Sequence, residues 1–397
     1  MWGSLIPETV RDARELASVK RIEINYRGIF QKQLAKKIAN YVVYVAHSEG
    51  KVAFSNGRYS DSPERNGVPC KYFTFVSSDL TEGQLEAVCG SKMDIESADV
   101  SVVLDDTMVK GVEPWAWHGI RPVNEKIGPG GKMIVVTTKS RGELVRFLGR
   151  KPFAYDLALL EGEASFSGLW VFKDDSTDVR VLGAIARADP GLVSIKAVEA
   201  YTRSAFKGEK AKAARLAHDS LLMHRVEPSE GIDWPHAPPR LPSWKEMREG
   251  LVVPAVSRAY AKGPRGQSRS TTYLRGTTKS ARPVVRFDLC TKCTLCWLEC
   301  PDECFDPTTD GLFDVNYDYC TGCGKCAQVC PVEGCIVMVD ELRFDNNDSP
   351  WERYKIAPED YVGWAKKSAG GDYVLHNVVT GTGVRRVKVP EGKGKRS

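Results

Sequence analysis

The stretch CTKCTLCWLECPDECF, residues 290–305, holds five cysteines, and the stretch CTGCGKCAQVCPVEGC, residues 320–335, holds five more of the chain's 12. Both stretches follow the spacing C-x2-C-x2-C-x3-C-P. The first 20 residues contain acidic side chains and lack the apolar core of a signal peptide, so we expect a cytoplasmic protein. Because cytosolic thiols stay reduced, this density of cysteines predicts metal binding or redox catalysis rather than disulfides.

The doubled spacing is that of bacterial two-cluster ferredoxins, in which the fourth cysteine of each run ligates the cluster of the other run. The sequence therefore predicts two 4Fe–4S clusters, with iron as the metal, in a small α+β ferredoxin-like domain over residues 283–342. The ligands predicted for cluster 1 are Cys290, Cys293, Cys296 and Cys330. The ligands predicted for cluster 2 are Cys320, Cys323, Cys326 and Cys300.

Structural zinc is the alternative for this motif. Zinc usually takes four ligands from two C-x2-C pairs, which the doubled triplet does not resemble. Four cysteines fall outside the predicted ligand set. We expect these four to be buried as small apolar side chains, the commoner role of a free cysteine, and they are Cys70, Cys89, Cys304 and Cys335.

The region upstream of the cysteines has the pattern of an α/β domain. RIEINY (21–26) alternates as in a strand, and QKQLAKKIANYVVYVA (31–46) has helical spacing. ADVSVVLDD (98–106) and GGKMIVVTT (130–138) are short β-branched runs of the kind that form buried parallel strands. EKAKAARLAHDSLLMHRV (209–226) is predicted to be a helix that closes the domain.

These patterns predict an N-terminal extension over residues 1–19 and an α/β domain with a mostly parallel sheet over residues 20–226. A proline-rich and basic linker is predicted over residues 227–282, and a C-terminal extension over residues 343–397. Between Leu251 and Phe287 there are eight basic residues and no acid. We interpret this segment as a strap over an acidic neighbour or in solvent. A nucleic-acid strip is the alternative, and it is disfavoured because few aromatic residues are interleaved.

Two stretches around the cysteines, RPVVRFDLCTKCTLCWLECPDECF and VNYDYCTGCGKCAQVCPVEGCIVMVDE, resemble the delta subunit of 2-oxoacid:ferredoxin oxidoreductases, a family that includes pyruvate synthase. The resemblance rests on Trp297, on Arg282–Pro283–Val284 and on YDYC before the second run. The upstream domain resembles the gamma subunit. KVAFSNGRYSDSPERNGVPCKYFTFVS, ADVSVVLDD, GPGGKMIVVTT and VLGAIARADPGLVSIKAVEAYTRSAF follow in that family's order. The chain is thus identified as a gamma–delta fusion.

This chain departs from the gamma pattern at two turns. Gamma chains usually carry Gly-Arg-Gly-Gly-Gln-Gly after the first strand, whereas YRGIFQKQ keeps only Arg27 and Gly28. Asn66–Gly67 likewise replaces a double glycine after Arg65. The family's gamma domain covers the coenzyme A side of the active site, and a glycine-rich turn there could hold phosphate. The departures leave open a member that uses no coenzyme A, such as one acting on oxalate.

The resemblance implies a complex that oxidatively decarboxylates a 2-oxoacid, with thiamine diphosphate and Mg held by alpha and beta partner subunits. It implies coenzyme A as co-substrate, two clusters on this chain that pass electrons to soluble ferredoxin, and a dimer of heterotrimers. Pyruvate, giving acetyl-CoA and CO2, is the first substrate expected, and 2-oxoglutarate and oxalate are the alternatives. A different possibility is an electron-transfer adaptor subunit of another oxidoreductase.

The chain itself lacks the motifs of a catalytic subunit. It has no Gly-Asp-Gly motif, no P-loop and no full GxGxxG, so no catalytic residue is assigned to it. With no run of 18 apolar residues, no membrane span is expected, and neither a membrane nor nucleic acid is expected as a partner. Asp105–Asp106 is predicted to be a solvated pair at a strand end. Trp115 and Trp117 are predicted to lie at a subunit interface. Glu64 with Arg65 are considered as an interface pair, but the motif alone does not favour that role.

Overall fold

The computed structural model describes residues 19–58, 69–89, 94–112, 120–162, 176–236, 279–348, 350–369, 374–380 and 383–389. The residues considered for subunit interfaces lie outside these ranges, and they are Glu64, Arg65, Trp115 and Trp117. Most of the basic segment, residues 251–278, also lies outside them, so its interpretation stays a prediction. None of the helices in the described ranges is long and apolar enough to cross a lipid bilayer.

One large sheet lies in the first part of the chain. Its strands are β1 Lys20–Arg27, β2 Val52–Gly57, β3 Pro69–Ser77, β4 Ala98–Val103, β5 Ile127–Thr137, β6 Tyr155–Glu161 and β7 Leu222–Val226. Their order across the sheet is β2-β3-β1-β4-β5-β6-β7. The neighbours β1, β4, β5 and β6 are parallel, and the outer pairs β2–β3, β3–β1 and β6–β7 are antiparallel. The predicted α/β class is confirmed.

Helices cover both faces of this sheet. They are α1 Gly28–Ser48, α2 Glu82–Cys89, α3 Arg141–Val145, α4 Thr177–Ala188, α5 Ile195–Ala205 and α6 Glu209–Ser220. In β5, Ile134 and Val136 belong to the core shared with α1 and α4, whereas Met133 and Val135 belong to the core on the opposite face. A strand buried on both faces reads as a continuous apolar run, and for this reason the sequence pattern located β5.

The stretch EKAKAARLAHDSLLMHRV forms a helix followed by a strand. α6 ends at Ser220, and β7 pairs antiparallel with β6, with Leu222 opposite Leu159. The prediction of one helix through Val226 was therefore wrong beyond Ser220. Pairing with the edge of a sheet distant in sequence overrides the local helix propensity of this stretch.

The first ten residues of the predicted linker contact the α/β domain. The backbone N–H of Arg150 donates to the carbonyl of Ile232 at 2.8 Å, and the N–H of Ile232 donates to the carbonyl of Leu148 at 2.8 Å. The indole Nε1 of Trp234 donates to the carbonyl of Ile120 at 3.0 Å. Residues 227–236 therefore lie along the surface of the α/β domain.

Residues 279–369, called the cysteine-rich module below, fold around the two cysteine runs. The module contains β8 Ala281–Val285, β9 Phe305–Pro307, β10 Phe313–Val315, β11 Ile336–Asp340, α7 Leu295–Leu298, α8 Lys325–Val329, α9 Pro350–Ile356 and α10 Pro358–Ala369. β8 pairs antiparallel with β11, which brings the two ends of the cysteine-containing stretch side by side. The strands β12 Val374–Thr380 and β13 Gly383–Val389 continue this sheet beyond β11.

Within the cysteine-rich module, the helices α9 and α10 pack through aromatic side chains. The ring of Phe287 meets Trp351 edge-on at 5.5 Å and lies 5.3 Å from Tyr361. The hydroxyl of Tyr361 donates to the carbonyl of Val285 in β8. The C-terminal extension therefore adds two helices to the core of the module.

The module rests on the carboxyl edge of the large sheet. Lys139, just after β5, forms an ion pair of 3.0 Å with Asp340, and Arg146 donates to the carbonyl of Leu342 at 2.8 Å. The Leu342 side chain is buried with Met108 and Leu144 in the core on that face of the sheet. Open α/β sheets commonly bind ligands at this edge. In this chain, part of the edge is covered by the module.

Candidate iron–sulfur centre

The two cysteine runs share one backbone conformation. In the first run, Lys292 and Thr294 have φ angles of 60° and 66°, and in the second run Gly322 and Gly324 have φ angles of 69° and 77°. Each pair lies two and four residues after the first cysteine of its run. Left-handed residues at these positions curl the chain so that successive cysteines face one centre. A short helix, α7 or α8, then follows in each run.

Four of the predicted ligand cysteines surround one cavity, called cavity 1. They are Cys290, Cys293, Cys296 and Cys330. The cavity has a volume of about 390 Å³, part of it open to solvent, and its apolar walls include Val285, Phe313 and Ile336. Three of the four cysteines come from the first run and one from the second run.

The other four predicted ligand cysteines surround a second cavity, called cavity 2. They are Cys300, Cys320, Cys323 and Cys326. This cavity has a volume of about 300 Å³, part of it open to solvent, and Pro283 and Phe305 are among its walls. Here three cysteines come from the second run and one from the first. The structure thus brings together the eight cysteines in the two groups of four that the spacing predicts.

The donor atoms of both cavities fit iron–sulfur clusters. All 12 cysteines are free thiols. Within the described ranges, no three His, Cys, Asp or Glu side chains are placed to hold one metal ion. The cysteines instead surround two cavities in groups of four, which is the number of thiolate ligands that a 4Fe–4S cluster takes. Backbone N–H groups already point at sulfur: Gly322 donates to the Sγ of Cys320 at 3.4 Å, the kind of hydrogen bond that tunes cluster potentials.

Residues 283–338 match the protein-family model described as 4Fe-4S dicluster domain. This stretch is a 4Fe–4S dicluster domain. The assignment agrees with the predicted ferredoxin-like domain and with the arrangement of cysteines around two cavities.

The solved structures similar to this chain include a pyruvate oxidoreductase subunit, PORC, from Thermotoga maritima, at 17% identity and a TM-score of 0.36, covering 52% of this chain and 98% of that one. A keto/oxoacid ferredoxin oxidoreductase gamma subunit from Geobacter sulfurreducens matches at 16% identity and a TM-score of 0.31, covering 51% and 93%. A 2-oxoglutarate:ferredoxin oxidoreductase from Magnetococcus marinus, with 2-oxoglutarate, coenzyme A and succinyl-CoA bound, matches at 11% identity and a TM-score of 0.32, covering 51% and 30%.

The cysteines outside the ligand set are buried, as predicted. Cys70 and Cys89 lie in the α/β domain, and Cys304 and Cys335 lie in the dicluster domain. The latter two also line the cavities, Cys304 in cavity 2 and Cys335 in cavity 1. The position of each just past a Cys-Pro corner predicts this packing beside the ligand cysteines.

Buried cations lie behind cavity 2. The Lys279 side chain is buried, and its Nζ donates to the carbonyl of Tyr317 at 2.8 Å. The Lys279 Cβ lies close to Gly322, 2.7 Å from the position that a Cβ on residue 322 would take. Burial lowers the pKa of Lys279, while the Glu341 carboxylate nearby raises it. Arg282, also buried, donates from Nε to Glu341 at 2.8 Å. Positive charge at this wall favours thiolates and the negative charge of a reduced cluster.

Cavity 1 lies beneath an exposed apolar surface, called the α7 cap. The cap consists of Leu295, Trp297 and Leu298, which are 38%, 41% and 63% exposed. The ring of Trp297 lies 6.3 Å from that of Phe313, a wall residue of cavity 1. Cys293 of this cavity is exposed, whereas Cys320 and Cys326 of cavity 2 are buried. Cavity 1 therefore has an exposed ligand cysteine beside the α7 cap.

The prediction that Asp105 and Asp106 form a solvated pair was wrong. Asp105 and Asp106 lie at the carboxyl edge of the sheet and are 0% and 6% exposed. Asp105 Oδ2 lies 3.3 Å from the Nε of Arg27, and Asp106 accepts a 2.6 Å hydrogen bond from Thr137 Oγ1. Burial, reinforced by the neighbouring Asp105 carboxylate, raises the pKa of Asp106 to about 7. The partners Arg27 and Thr137 are distant in sequence, so the local pattern could not indicate them.

Proposed function

We propose that this chain is the fused gamma–delta subunit of a thiamine-diphosphate-dependent 2-oxoacid:ferredoxin oxidoreductase. The proposal is supported mainly by the two cavities, each of which is lined by four predicted ligand cysteines, in a chain that also has an α/β domain. Cavity 1 would hold one 4Fe–4S cluster and cavity 2 the other, through the cysteines named above. When bound, the two clusters supply two adjacent one-electron stations. The chain thus serves electron transfer and assembly, and carries no catalytic residue for carbon chemistry.

The carbon chemistry is assigned to partner subunits. Alpha and beta chains would hold thiamine diphosphate and Mg, in a dimer of heterotrimers, and the α/β domain would dock on them. The lack of a Gly-Asp-Gly motif in this chain supports that division. The basic segment would strap the module to the same partners. Pyruvate is the substrate proposed first, with coenzyme A as the acyl acceptor.

The contact to coenzyme A would not come from Arg27. The guanidinium of Arg27 is buried and lies 3.3 Å from Asp105, so its charge is directed into the sheet edge. Burial lowers the pKa of Arg27, and the Asp105 carboxylate opposes this by stabilising the charged form. If this complex uses coenzyme A, other residues must bind its phosphates. This geometry is also compatible with the alternative in which the complex acts on oxalate without coenzyme A.

The surroundings of the two cavities support a direction of electron transfer from the cluster of cavity 2 to the cluster of cavity 1. Cavity 2 lies beside Lys279, Arg282 and Glu341, close to the contact with the α/β domain. Cavity 1 opens beneath the exposed α7 cap, on the module's own surface. The helices α9 and α10 cover the aromatic core elsewhere on the module. We propose that soluble ferredoxin docks at the α7 cap and receives electrons there.

The proposal is tested by isolating the native complex under anaerobic conditions through a tag on this chain. A panel of pyruvate, 2-oxoglutarate and oxalate is then assayed for viologen reduction, each with and without coenzyme A. Activity with one acid supports the proposal and names the substrate, and dependence on coenzyme A decides between the ester-forming and the oxalate-type reaction. A complex with intact clusters, no thiamine diphosphate and no response to any 2-oxoacid would overturn it and favour an adaptor subunit.

A further inference from the structure

The dicluster domain is strongly acidic, although the chain as a whole is basic. Residues 283–338 contain nine Asp and Glu residues against three Lys and Arg residues, whereas the whole chain has a net charge of +5. Two basic residues of this stretch are exposed, Lys292 and Lys325. Five of its acids are exposed, and they are Asp288, Glu299, Glu303, Asp310 and Glu333. Since clusters are held by thiolates, bound clusters would make this surface more negative still.

The contact between the module and the α/β domain shows which charge meets the module's acids. Three ion pairs cross this contact, and they are Lys139–Asp340 at 3.0 Å, Lys110–Glu341 at 2.7 Å and Arg146–Asp345 at 3.4 Å. In each pair the α/β domain supplies the cation and the module supplies the carboxylate. Where the structure covers acids of the module at this contact, basic side chains face them.

The α7 cap has one of the exposed acids directly beside it. Glu299 follows Leu298 in the chain and is the residue at which α7 ends. Glu333, in the second run, follows Val332, which is a wall residue of cavity 1. Protein interfaces commonly have an apolar centre and a polar rim. The cap has this composition, with apolar side chains exposed at its centre and a carboxylate at its border.

We infer that the electron acceptor docking at the α7 cap presents an apolar centre ringed by Lys and Arg side chains. The inference rests on the proposed docking of the acceptor at the cap, and it adds the charge of the acceptor's docking face. Opposite charges across an interface steer the encounter and fix the orientation, whereas an acidic face would be repelled. In the transfer step, one electron leaves a reduced 4Fe–4S cluster and reduces the one-electron centre of the acceptor. No bond forms or breaks and no proton moves.

The test measures how two forms of one redox protein bind to the native complex with oxidised clusters. The basic probe is cytochrome c, in which lysines surround the exposed haem edge. The acidic control is the same protein with its lysines succinylated. Isothermal titration calorimetry at an ionic strength of about 20 mM should show binding of the basic form at least about tenfold tighter than that of the succinylated form. Binding of the basic form should weaken markedly at about 200 mM, where exposed charges are screened.

Two charge reversals locate the surface that binds the probe. Glu299→Lys, at the border of the cap, should weaken binding of basic cytochrome c about three- to tenfold at low ionic strength. Glu209→Lys is the matched control and should leave binding unchanged, because its side chain is 88% exposed at the start of α6, on the α/β domain. The reduced complex, freed of dithionite, should also reduce cytochrome c more slowly in Glu299→Lys, by a similar factor.

The binding measurements need no 2-oxoacid, so they give an answer even if the proposed substrate class is wrong. Equal binding of the two forms of cytochrome c, or tighter binding of the succinylated form, would overturn the inference. Equal losses in Glu299→Lys and Glu209→Lys would overturn it too, since the probe would then not bind at the cap. If neither form binds, the acidic surface is already covered by the chain's own basic segment or by a partner subunit, and the inference is wrong.

Discussion

Glu341 of the cysteine-rich module accepts a 2.7 Å hydrogen bond from the Nζ of Lys110 in the α/β domain. The same carboxylate accepts from Arg282 of β8, and Lys279 lies close enough to act on it electrostatically. Glu341 is only 3% exposed. The two parts of the chain are therefore joined by a buried ion network as well as by the linker, and the wall of cavity 2 shares residues with that network.

Glu341→Gln should destabilise the whole chain. It leaves Lys110, Arg282 and Lys279 without their counter-charge, and breaking a buried network in this way costs about 3–5 kcal/mol. Thermal unfolding at pH 7 measures the loss. The control is Asp345→Asn, because Asp345 is 76% exposed in its pair with Arg146 and such surface pairs contribute about 0–1 kcal/mol. Equal effects of the two substitutions would contradict the network.

The effect of Glu341→Gln should also depend on pH. Burial alone would raise the pKa of Glu341, but Lys279, Arg282 and Lys110 lower it from 4.5 to about 2. A group whose pKa is lower in the folded state stabilises the fold above its unfolded pKa, and this stabilisation is lost as pH falls through the folded value. The difference in free energy of unfolding between wild type and Glu341→Gln should therefore be largest above about pH 5 and shrink toward pH 2. A difference independent of pH would argue against this charge assignment.

Asp106→Asn should stabilise the fold at neutral and higher pH. The pKa of Asp106 is raised from 3.8 to about 7 by burial and by Asp105, with a smaller contribution from Asp340, while Thr137 and Lys139 oppose the shift. Ionising this carboxyl therefore costs stability as pH rises from about 4 to 7. The variant should gain about 1–3 kcal/mol at pH 8 and little at pH 4. Asp233→Asn, at an exposed carboxyl, is the control and should show no such trend.

Local patterns in the sequence predicted the grouping of the cysteines around two cavities and the central strands. The spacing of each run fixes which thiols can share a centre, and β4 and β5 are buried on both faces, so both features are visible within a few residues. Features that depend on distant contacts were missed. The strand β7 is selected by pairing with β6, Asp105 is buried by Arg27, and α9 docks through Trp351 on Phe287. The buried ion pairs of Glu341 could not be predicted from a local motif, because they form only when the module packs against the α/β domain.

Gly322→Ala should remove the cluster of cavity 2. Gly322 has φ 69°, and a Cβ there would lie 2.3 Å from the carbonyl oxygen of Ala281 and 2.7 Å from the Cβ of Lys279. The loop would have to move away from β8, so iron should fall from about eight to about four per chain. Gly334→Ala is the matched control, since it has φ 73° but nothing within 4 Å. It should cost about 1 kcal/mol of backbone strain and keep its iron. Loss of iron in both variants would show that strain alone is responsible.

Cys300→Ser and Cys330→Ser should each damage the cluster bound mainly by the opposite run. Cys300 lines the cavity of Cys320, Cys323 and Cys326, and Cys330 lines that of Cys290, Cys293 and Cys296. Iron analysis with electron paramagnetic resonance of the reduced complex should show Cys300→Ser matching Cys323→Ser, and Cys330→Ser matching Cys293→Ser. The opposite pairing of spectra would refute the exchanged fourth ligand.

Leu298→Glu should weaken electron transfer to ferredoxin and spare transfer to small dyes. Leu298 is 63% exposed on the α7 cap, and burying an unpaired charge within a docking surface costs binding free energy. The rate with limiting ferredoxin, measured by stopped flow from the dithionite-reduced complex, should fall about tenfold. Reduction of methyl viologen should stay unchanged. Ile356→Glu, at a site 85% exposed on α9, is the control. If it lowers the ferredoxin rate as much as Leu298→Glu, the α7 cap is not the docking surface.

If the two cavities hold clusters that serve 2-oxoacid oxidation, these clusters receive their electrons from a 2-oxoacid. The most direct measurement is electron paramagnetic resonance of the anaerobic native complex, frozen shortly after addition of a 2-oxoacid and with no other reductant present. The signals of two interacting reduced 4Fe–4S clusters should appear with one of the acids. They should disappear in Cys300→Ser and Cys330→Ser in the pairing given above. Clusters that dithionite reduces but that no 2-oxoacid reduces would contradict it.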